Sequence, residues 1–304
     1  MIDDFVPLSD ADRDQLSSSL LRFLEQLEPL VLEGLGAEVP DSRAERLAAI
    51  ETPDGSQGPR PGRNALETAL FGTVAGIDHS RQAAIALRDG RATFALATLT
   101  RGALESYARA SWLIDTTSDE DLLTRWLSGI AAELSWSIKV RPGAPLMELR
   151  GRHSTAEAEL VRVLDDIEDL TGSRKPLSAS STALASDLLD RAGWKGRAAY
   201  SQLSAVAHGE PMGIHGFVDI SDSTGAHTVQ LHQRWALSYV GQLLATSTFV
   251  GRNLLRTLGR DVGPTHPSAA AHTEAARVVE TLKSRIRAAA KPPTPDQPSE
   301  DENS

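Results

Sequence analysis

The chain has 304 residues, of which 40% are hydrophobic and 24% are charged, an ordinary composition for a globular protein. Its formal net charge of −10 argues against a broad basic face for duplex DNA, because such a face works by neutralising phosphates. The absence of cysteine excludes disulfides, thiolate zinc sites and a cysteine nucleophile.

Helices dominate the prediction, because apolar residues recur along the chain at spacings of three and four. The first helix runs from about Asp10 to Gly34, with Ser9 as its N-cap. Proline, glycine and arginine interrupt the pattern over residues 38–63, apart from one short helix near residues 42–50. We therefore interpret residues 1–63 as an N-terminal helix followed by a loop region.

Residues 64–290 are predicted to form the main domain, a multi-helix bundle. The predicted helices cover residues 64–89, 91–115, 118–140, 145–170, 181–192, 196–208, 234–259 and 268–291. Short connections between long helices make neighbouring helices antiparallel. Residues 214–232 instead alternate apolar and polar side chains around the turn-rich SDSTGA, which predicts a small β-hairpin. The predicted fold class is all-α with this hairpin insertion, followed by a disordered acidic, proline-rich tail over residues 291–304.

Several familiar motifs are absent from the sequence. It has no GxxxxGK[ST] phosphate loop, no GxGxxG dinucleotide turn and no GxSxG nucleophile elbow. It also has no Glu-x-x-His pair and no two histidines at i, i+4, so we predict neither a cofactor nor a metal. No apolar run is long enough to span a bilayer. We expect a cytoplasmic protein that does not enter a membrane.

Charged side chains lie on the predicted apolar face of the helix over residues 91–115. Arg101 and Glu105 share this face with Phe94 and Trp112, and their i, i+4 spacing allows them to pair. A buried charge costs several kcal/mol unless it is paired. The pair is therefore either a structural ion-pair network or part of a polar pocket, in which Glu105 orients a base or a ligand.

A row of polar side chains follows on the helix over residues 196–208. Tyr200, Ser204 and His208 fall at i, i+4 and i+8, so one helix face presents a phenol, a hydroxyl and an imidazole. Gly209 ends the helix, which places His208 at the negative end of the helix dipole. His208 is either a capping residue or a group that titrates near neutrality.

His79 is a third candidate, on the helix over residues 64–89. If the helices pack suitably, it completes a cluster with Glu105 and His208, and two histidines with a carboxylate can bind a divalent metal. Nothing in the spacing requires such a metal site. The ligand-binding candidates are His79, Ser204 and Trp112, and the catalytic candidates are His208, Arg101, Glu105 and Tyr200.

Two motifs carry a resemblance to known proteins, LTRGALESYARASWLID and, much later, YSQLSAVAHG. They resemble an uncharacterised all-helical family common in actinobacteria, in which an R-x-x-x-E helix precedes a Tyr-x-x-Leu-Ser-x-x-x-His helix. That family is distantly similar to the HEPN-like and abortive-infection helical proteins, many of which cleave RNA. The resemblance covers about residues 65–216. HEPN ribonucleases place an arginine four to six residues before a histidine, whereas the nearest arginine upstream of His208 is Arg197.

These observations leave two functions open. The first is a non-catalytic scaffold, or a protein that binds a small ligand or a partner, with the polar residues as a buried network and a homodimer as the expected assembly. The alternative, implied by the resemblance, is a HEPN-like metal-independent ribonuclease or phage-defence toxin that acts on RNA. In that case His208 is the general acid or base, Arg101 stabilises phosphate charge, and Glu105 and Tyr200 orient them.

Overall fold

The computed structural model describes residues 8–34, 39–51, 60–90, 93–143, 154–220, 227–260, 263 and 265–289. These residues form eleven α-helices and two β-strands, in an all-α fold with one hairpin, as predicted. The helices are α1 (Asp10–Glu33), α2 (Arg43–Ala48), α3 (Pro61–Asp89), α4 (Thr93–Ile114), α5 (Asp119–Val140), α6 (Ala156–Thr171), α7 (Ser181–Arg191), α8 (Gly196–Ala207), α9 (Pro211–His215), α10 (Gln233–Thr257) and α11 (Pro267–Ala289). The strands are β1 (Val218–Ile220) and β2 (His227–Val229).

Serine caps fix the starts of several helices, as the sequence predicts. The Ser9 side chain accepts a hydrogen bond from the Asp12 backbone N–H at 3.2 Å, and α1 begins at the next residue. Ser118 caps α5 in the same way, at 3.0 Å from the backbone nitrogen of Asp121. Such a cap satisfies one of the backbone donors that a helix leaves free at its start.

The structure differs from the prediction at α6 and α9. The helix predicted from residue 145 begins at Ala156, because Thr155 adopts an extended backbone and caps the helix. The preceding residues 144–153 lie outside the described part of the chain, as does the predicted tail. The short helix α9 was not predicted; Pro211 occupies its first turn, where the missing N–H of proline costs no hydrogen bond.

The helices α3 and α4 form the centre of the bundle. They pack side by side along most of their length. The helices α1 and α10 pack on α3, and α7, α8 and α10 pack on α4. The last helix, α11, packs against α1 and α10, and one apolar core connects all of these elements. None of the described helices is both long and apolar enough to cross a membrane.

The close packing of α3 on α4 depends on a glycine. A Cβ atom at Gly76 would lie 2.5 Å from two ring carbons of Tyr107, which is fully buried. The Tyr107 hydroxyl in turn lies 3.2 Å from the hydroxyl oxygen of Ser80. Burial raises the pKa of Tyr107 well above its ordinary value, so this hydroxyl stays protonated.

The predicted hairpin is confirmed as an antiparallel pair of strands, with Val218 opposite Val229. Aromatic side chains anchor it to the bundle. Phe217 is fully buried, and its ring meets Phe94 of α4 edge to face at 5.6 Å. It also stacks on Trp235 at the start of α10, at a centroid distance of 5.9 Å. These contacts fix the chain that leads from α8 and α9 into the strands.

Candidate functional site

Four polar side chains from α4 and α8 meet at one place, which we call the polar cluster: Arg101, Glu105, Tyr200 and His208. Arg101 Nε donates to Glu105 Oε1 at 2.8 Å, and the Tyr200 hydroxyl donates to the same oxygen at 2.5 Å. Arg101 Nη1 lies 2.8 Å from His208 Nε2. All four catalytic candidates from the sequence are therefore in one hydrogen-bonded network, and two of its bonds join α4 to α8.

Burial decreases along the polar cluster from one end to the other. The Tyr200 side chain is almost fully buried, while the Arg101 and Glu105 side chains keep 24% and 32% of their exposure. His208, which caps the end of α8, is exposed. We predicted a buried face for Arg101 and Glu105, but both side chains are only partly buried. The short helix α8 covers this side of α4 only in part. The cluster opens onto solvent at His208.

The surroundings of Arg101 and Tyr200 favour a charged guanidinium and a protonated phenol. Burial alone disfavours the charged form of Arg101, but its hydrogen bonds to Glu105 and Tyr200 outweigh this and raise its pKa. Burial and the bond to the Glu105 carboxylate raise the pKa of Tyr200, and Arg101 acts in the opposite direction. Tyr200 therefore acts as a hydrogen-bond donor, and Glu105 as the acceptor between it and Arg101.

The contact between Arg101 and His208 constrains the imidazole. A guanidinium nitrogen can only donate, so Nε2 of His208 must accept, which requires a neutral ring with its proton on Nδ1. An anion placed between Arg101 and His208 can accept hydrogen bonds from both side chains, because the guanidinium and the imidazole each carry an N–H.

Two of the ligand-binding candidates lie beside the polar cluster without joining its hydrogen bonds. Ser204 is half-buried, one turn before His208 on α8, and its hydroxyl makes no hydrogen bond within the described part of the chain. The ring of His79 packs on Gly102 of α4, where a Cβ atom would lie 3.5 Å from three ring atoms. Among the described residues, His79 forms no hydrogen bond with Glu105 or with His208.

Trp112 and Arg109, further along α4, contact α5 instead of the polar cluster. The guanidinium of Arg125 lies 5.7 Å from the centroid of the Trp112 ring. Arg109 pairs with Glu133 at 3.3 Å, and both side chains are largely exposed. The third ligand-binding candidate, Trp112, is therefore separated from the network formed by Arg101 and His208.

The described residues contain no group of three or more histidine, aspartate or glutamate side chains arranged to hold a metal ion. The alternative cluster of His79, Glu105 and His208 is accordingly not formed. The helices that carry them place Arg101, and not a second histidine, next to His208. The polar cluster therefore offers a cation, an imidazole and a hydroxyl to a ligand.

Sequence reasoning missed one further concave feature, an open groove between the end of α3 and the start of α4. Its volume is about 750 Å³, and its lining residues are Gln82, Ile85, Ala86, Arg88, Asp89 and Leu99. Ile85 keeps 39% of its exposure although it belongs to an apolar stripe, which is the only sequence signal for the groove. The polar cluster, in which hydrogen bonds join α4 to α8, is the better candidate site.

Comparison with known proteins adds no relative to this description. No family model, no curated protein and no solved structure matches the chain. The resemblance to HEPN-like proteins stays a prediction that depends on the two motifs around Arg101 and His208.

Proposed function

We propose that this chain is a non-catalytic helical-bundle protein that binds the anionic group of a small ligand at the polar cluster. The observation that carries the proposal is the 2.8 Å contact of Arg101 Nη1 with His208 Nε2, at the exposed end of the cluster. Arginine presents planar donors that match phosphate and carboxylate oxygens, and protonated histidine adds a second charged donor. We keep the cytoplasmic location and the homodimer predicted from the sequence as parts of this proposal.

The rest of the cluster prepares Arg101 for such a ligand. Glu105 holds the guanidinium through Nε, and Tyr200 holds Glu105 from the buried side. A ligand oxygen takes the place of His208 Nε2 as the acceptor for Arg101 Nη1. The Ser204 hydroxyl, which has no partner among the described residues, supplies another donor on the same face of α8. Because the guanidinium is already oriented, little side-chain entropy is lost on binding.

The test is a titration of the full chain with inorganic phosphate and, separately, with acetate, followed by NMR at the histidine rings. We expect saturable shifts at His208 with at least one of these probes, and no shifts in Arg101→Gln. Arg109→Gln is the matched control, since Arg109 lies on the same helix but pairs with Glu133, and it should keep the shifts. Absence of shifts in the wild type, or equal shifts in Arg101→Gln, contradicts the proposal.

A second candidate function is metal-independent RNA cleavage, favoured by the exposure of His208 next to a guanidinium. In this reaction the ribose 2′-hydroxyl attacks the neighbouring phosphorus and the 5′-oxygen leaves. His208 acts as the general acid or base, and Arg101 stabilises the negative charge that develops on the phosphate. Glu105 and Tyr200 orient Arg101, as they do for a bound ligand.

Incubation with single-stranded RNA in the presence of a chelator separates the two candidates. Cleavage by the wild type that falls about a hundredfold or more in His208→Ala supports catalysis. The control is His215→Ala, which removes an exposed histidine on α9 and should leave the rate unchanged. A wild type that does not cleave RNA, or a fully active His208→Ala variant whose fold is intact by circular dichroism, contradicts catalysis.

A further inference from the structure

The α5–α6 pair carries three exposed apolar side chains, which we call the arm patch: Trp136, Val140 and Val161. Trp136 keeps 67% of its exposure, and both valines keep 52%. Tryptophan is large and apolar, and in a folded protein it is seldom left this exposed. A cluster of such side chains marks an interaction surface more often than a single exposed residue does.

A hydrogen bond between the two helix ends sets the levels of the three residues along the pair. The backbone N–H of Gly143 donates to Glu157 Oε1 at 2.9 Å, which aligns the end of α5 with the start of α6. Since the two helices run antiparallel from this contact, Val140 and Val161, three and four residues away from it, lie at the same level. Trp136 is one turn before Val140 on α5.

In the described part of the chain, this surface is exposed. α6 packs extensively against α5 and makes no comparable contact with another described helix. Glu133 and Lys139, on either side of Trp136, are exposed as well, and Gly129 at the start of the same stripe has open space around it. A second chain can therefore approach Trp136 along α5, where Glu133 is paired with Arg109 of α4.

On α5 an acidic residue precedes Trp136 and a basic residue follows it, a pattern that is complementary to a second, antiparallel copy of the same helix. Glu133 lies three residues before Trp136 and Lys139 three residues after it, and both are exposed. When two copies of α5 cross antiparallel at Trp136, position 133 of one copy lies opposite position 139 of the other. Each carboxylate, which also pairs with Arg109 of its own chain, then faces an ammonium group of the partner.

We infer that a second copy of this chain docks on the arm patch, with α5 antiparallel to its counterpart about a two-fold axis at Trp136. The two tryptophans stack at the axis, and Glu133 faces Lys139 of the second copy on both sides of it. A two-fold contact uses the same surface twice, so it must be self-complementary, as this charge pattern is. The chain has a net charge of −10, and two copies repel each other less at a surface where Lys139 and Arg109 lie beside Glu133.

This inference adds a surface and a geometry to the homodimer, which the sequence alone left unspecified. It does not depend on the ligand proposed for the polar cluster, because that site lies on α4 and α8. Failure of phosphate binding leaves the dimer standing, and a monomeric chain leaves the ligand site standing.

Sedimentation equilibrium of the full chain, with its variants, tests the inference. We expect a monomer–dimer equilibrium whose dissociation constant rises about tenfold or more in Trp136→Ala, since buried tryptophans dominate interface energies. Lys139→Glu should weaken the dimer similarly, because it places glutamates opposite each other. The double variant Glu133→Lys with Lys139→Glu reverses both charges and should restore the dimer.

Phe71→Ala is the matched control, since Phe71 is 57% exposed on α3 and lies outside the arm patch. It should leave the dissociation constant unchanged. Thermal unfolding of each variant checks that the helices are intact, which matters for Glu133→Lys because Glu133 also accepts from Arg109. A wild type that is monomeric throughout, or a dimer that tolerates Trp136→Ala, overturns the inference. A double variant that stays as weak as Lys139→Glu overturns the antiparallel geometry.

Discussion

The hydroxyl of Tyr200 lies 2.5 Å from Glu105 Oε1, although the two residues are 95 positions apart in the chain. The same carboxylate oxygen accepts from Arg101 Nε at 2.8 Å. One oxygen thus joins an almost buried phenol to a half-buried guanidinium, which in turn contacts the exposed His208. The orientation of the exposed end of the polar cluster therefore depends on a buried hydroxyl.

Removing this hydroxyl should cost stability. In Tyr200→Phe, Glu105 loses a charge-assisted hydrogen bond at its buried side, and such bonds contribute about 1.5–3 kcal/mol. We expect the free energy of unfolding to fall by about 2 kcal/mol, measured by urea denaturation.

Tyr239→Phe is the control for this substitution. The Tyr239 hydroxyl is also buried, but its partner is the neutral amide of Gln202, at 2.9 Å from the amide nitrogen. A neutral hydrogen bond contributes about 1 kcal/mol, so this variant should lose less than Tyr200→Phe. Equal losses of unfolding free energy in the two variants would show that the hydrogen bond from Tyr200 to Glu105 is no stronger than a neutral one.

The sequence predicts those features that depend on local spacing. The caps at Ser9 and Ser118 follow from a polar residue before an apolar repeat, and both are confirmed. The Arg101–Glu105 pair follows from its i, i+4 spacing on one helix, and the structure confirms it as well. Each of these interactions joins residues within one or two turns, where helix geometry alone fixes the distance.

Contacts between helices were not predictable in the same way. From the sequence, His79 could join Glu105 and His208 only if the helices packed suitably, whereas the structure places Arg101 next to His208 and packs His79 on Gly102. Which residues meet depends on how far each helix slides and rotates against its neighbour, and glycines set that distance through close approaches. The exposure of Trp136 has the same origin, because the packing of the helices decides whether a tryptophan lies between them or at the surface.

A methyl group at Gly76 should disturb the centre of the bundle. Its Cβ would lie 2.5 Å from the Tyr107 ring, which is fully buried and cannot move without displacing its neighbours. Overpacking of this kind typically costs about 1–3 kcal/mol. We expect Gly76→Ala to lower the free energy of unfolding by that amount, despite the better helix propensity of alanine.

Gly129→Ala separates helix propensity from packing, because nothing lies near a Cβ atom at this position of α5. Alanine stabilises an exposed helix interior by about 0.5–1 kcal/mol relative to glycine, so this variant should gain stability. Thermal or urea unfolding of both variants gives the comparison. A gain in stability for Gly76→Ala would mean that α3 and α4 are further apart than the structure has them.

The packing of α11 on α1 should weaken in acid through His272. Burial, and then the charge of Arg252, lower the pKa of His272 below its ordinary value of 6.5. The folded state therefore favours the neutral ring, which meets Phe23 edge to face at 5.6 Å. Its contribution to stability is fully present above pH 6.5 and decreases as the pH falls below that value, because the unfolded chain takes up the proton first.

Urea denaturation of the wild type and of His272→Phe across this pH range measures the effect. The variant keeps an aromatic ring against Phe23 but does not titrate, so its stability should fall less steeply as the pH is lowered. His215→Gln removes an exposed histidine and should leave the slope as in the wild type. Identical slopes in the wild type and His272→Phe would contradict the assignment.

Arg43 from α2 holds the end of α4 and the start of α5 together. Its Nη1 donates to the carbonyl of Thr116 at 2.9 Å, its Nη2 to the carbonyl of Ser118 at 2.6 Å, and its Nε pairs with Asp119 at 2.8 Å. Only 16% of the side chain is exposed, so water cannot easily replace these bonds. Several of the bonds satisfy carbonyls that the turn between two helices leaves free.

Substitution of Arg43 should therefore destabilise the chain far more than substitution of Arg46, an exposed arginine on the same helix. We expect Arg43→Ala to lose about 2–3 kcal/mol in urea denaturation, as buried groups lose charge-assisted partners, and Arg46→Ala to lose under about 0.5 kcal/mol. Arg43→Lys should recover only part of the loss, because an ammonium group cannot reach three divergent acceptors as the planar guanidinium does. If lysine restored full stability, charge alone at this position would be sufficient, and the geometry of the guanidinium would not explain how α4 connects to α5.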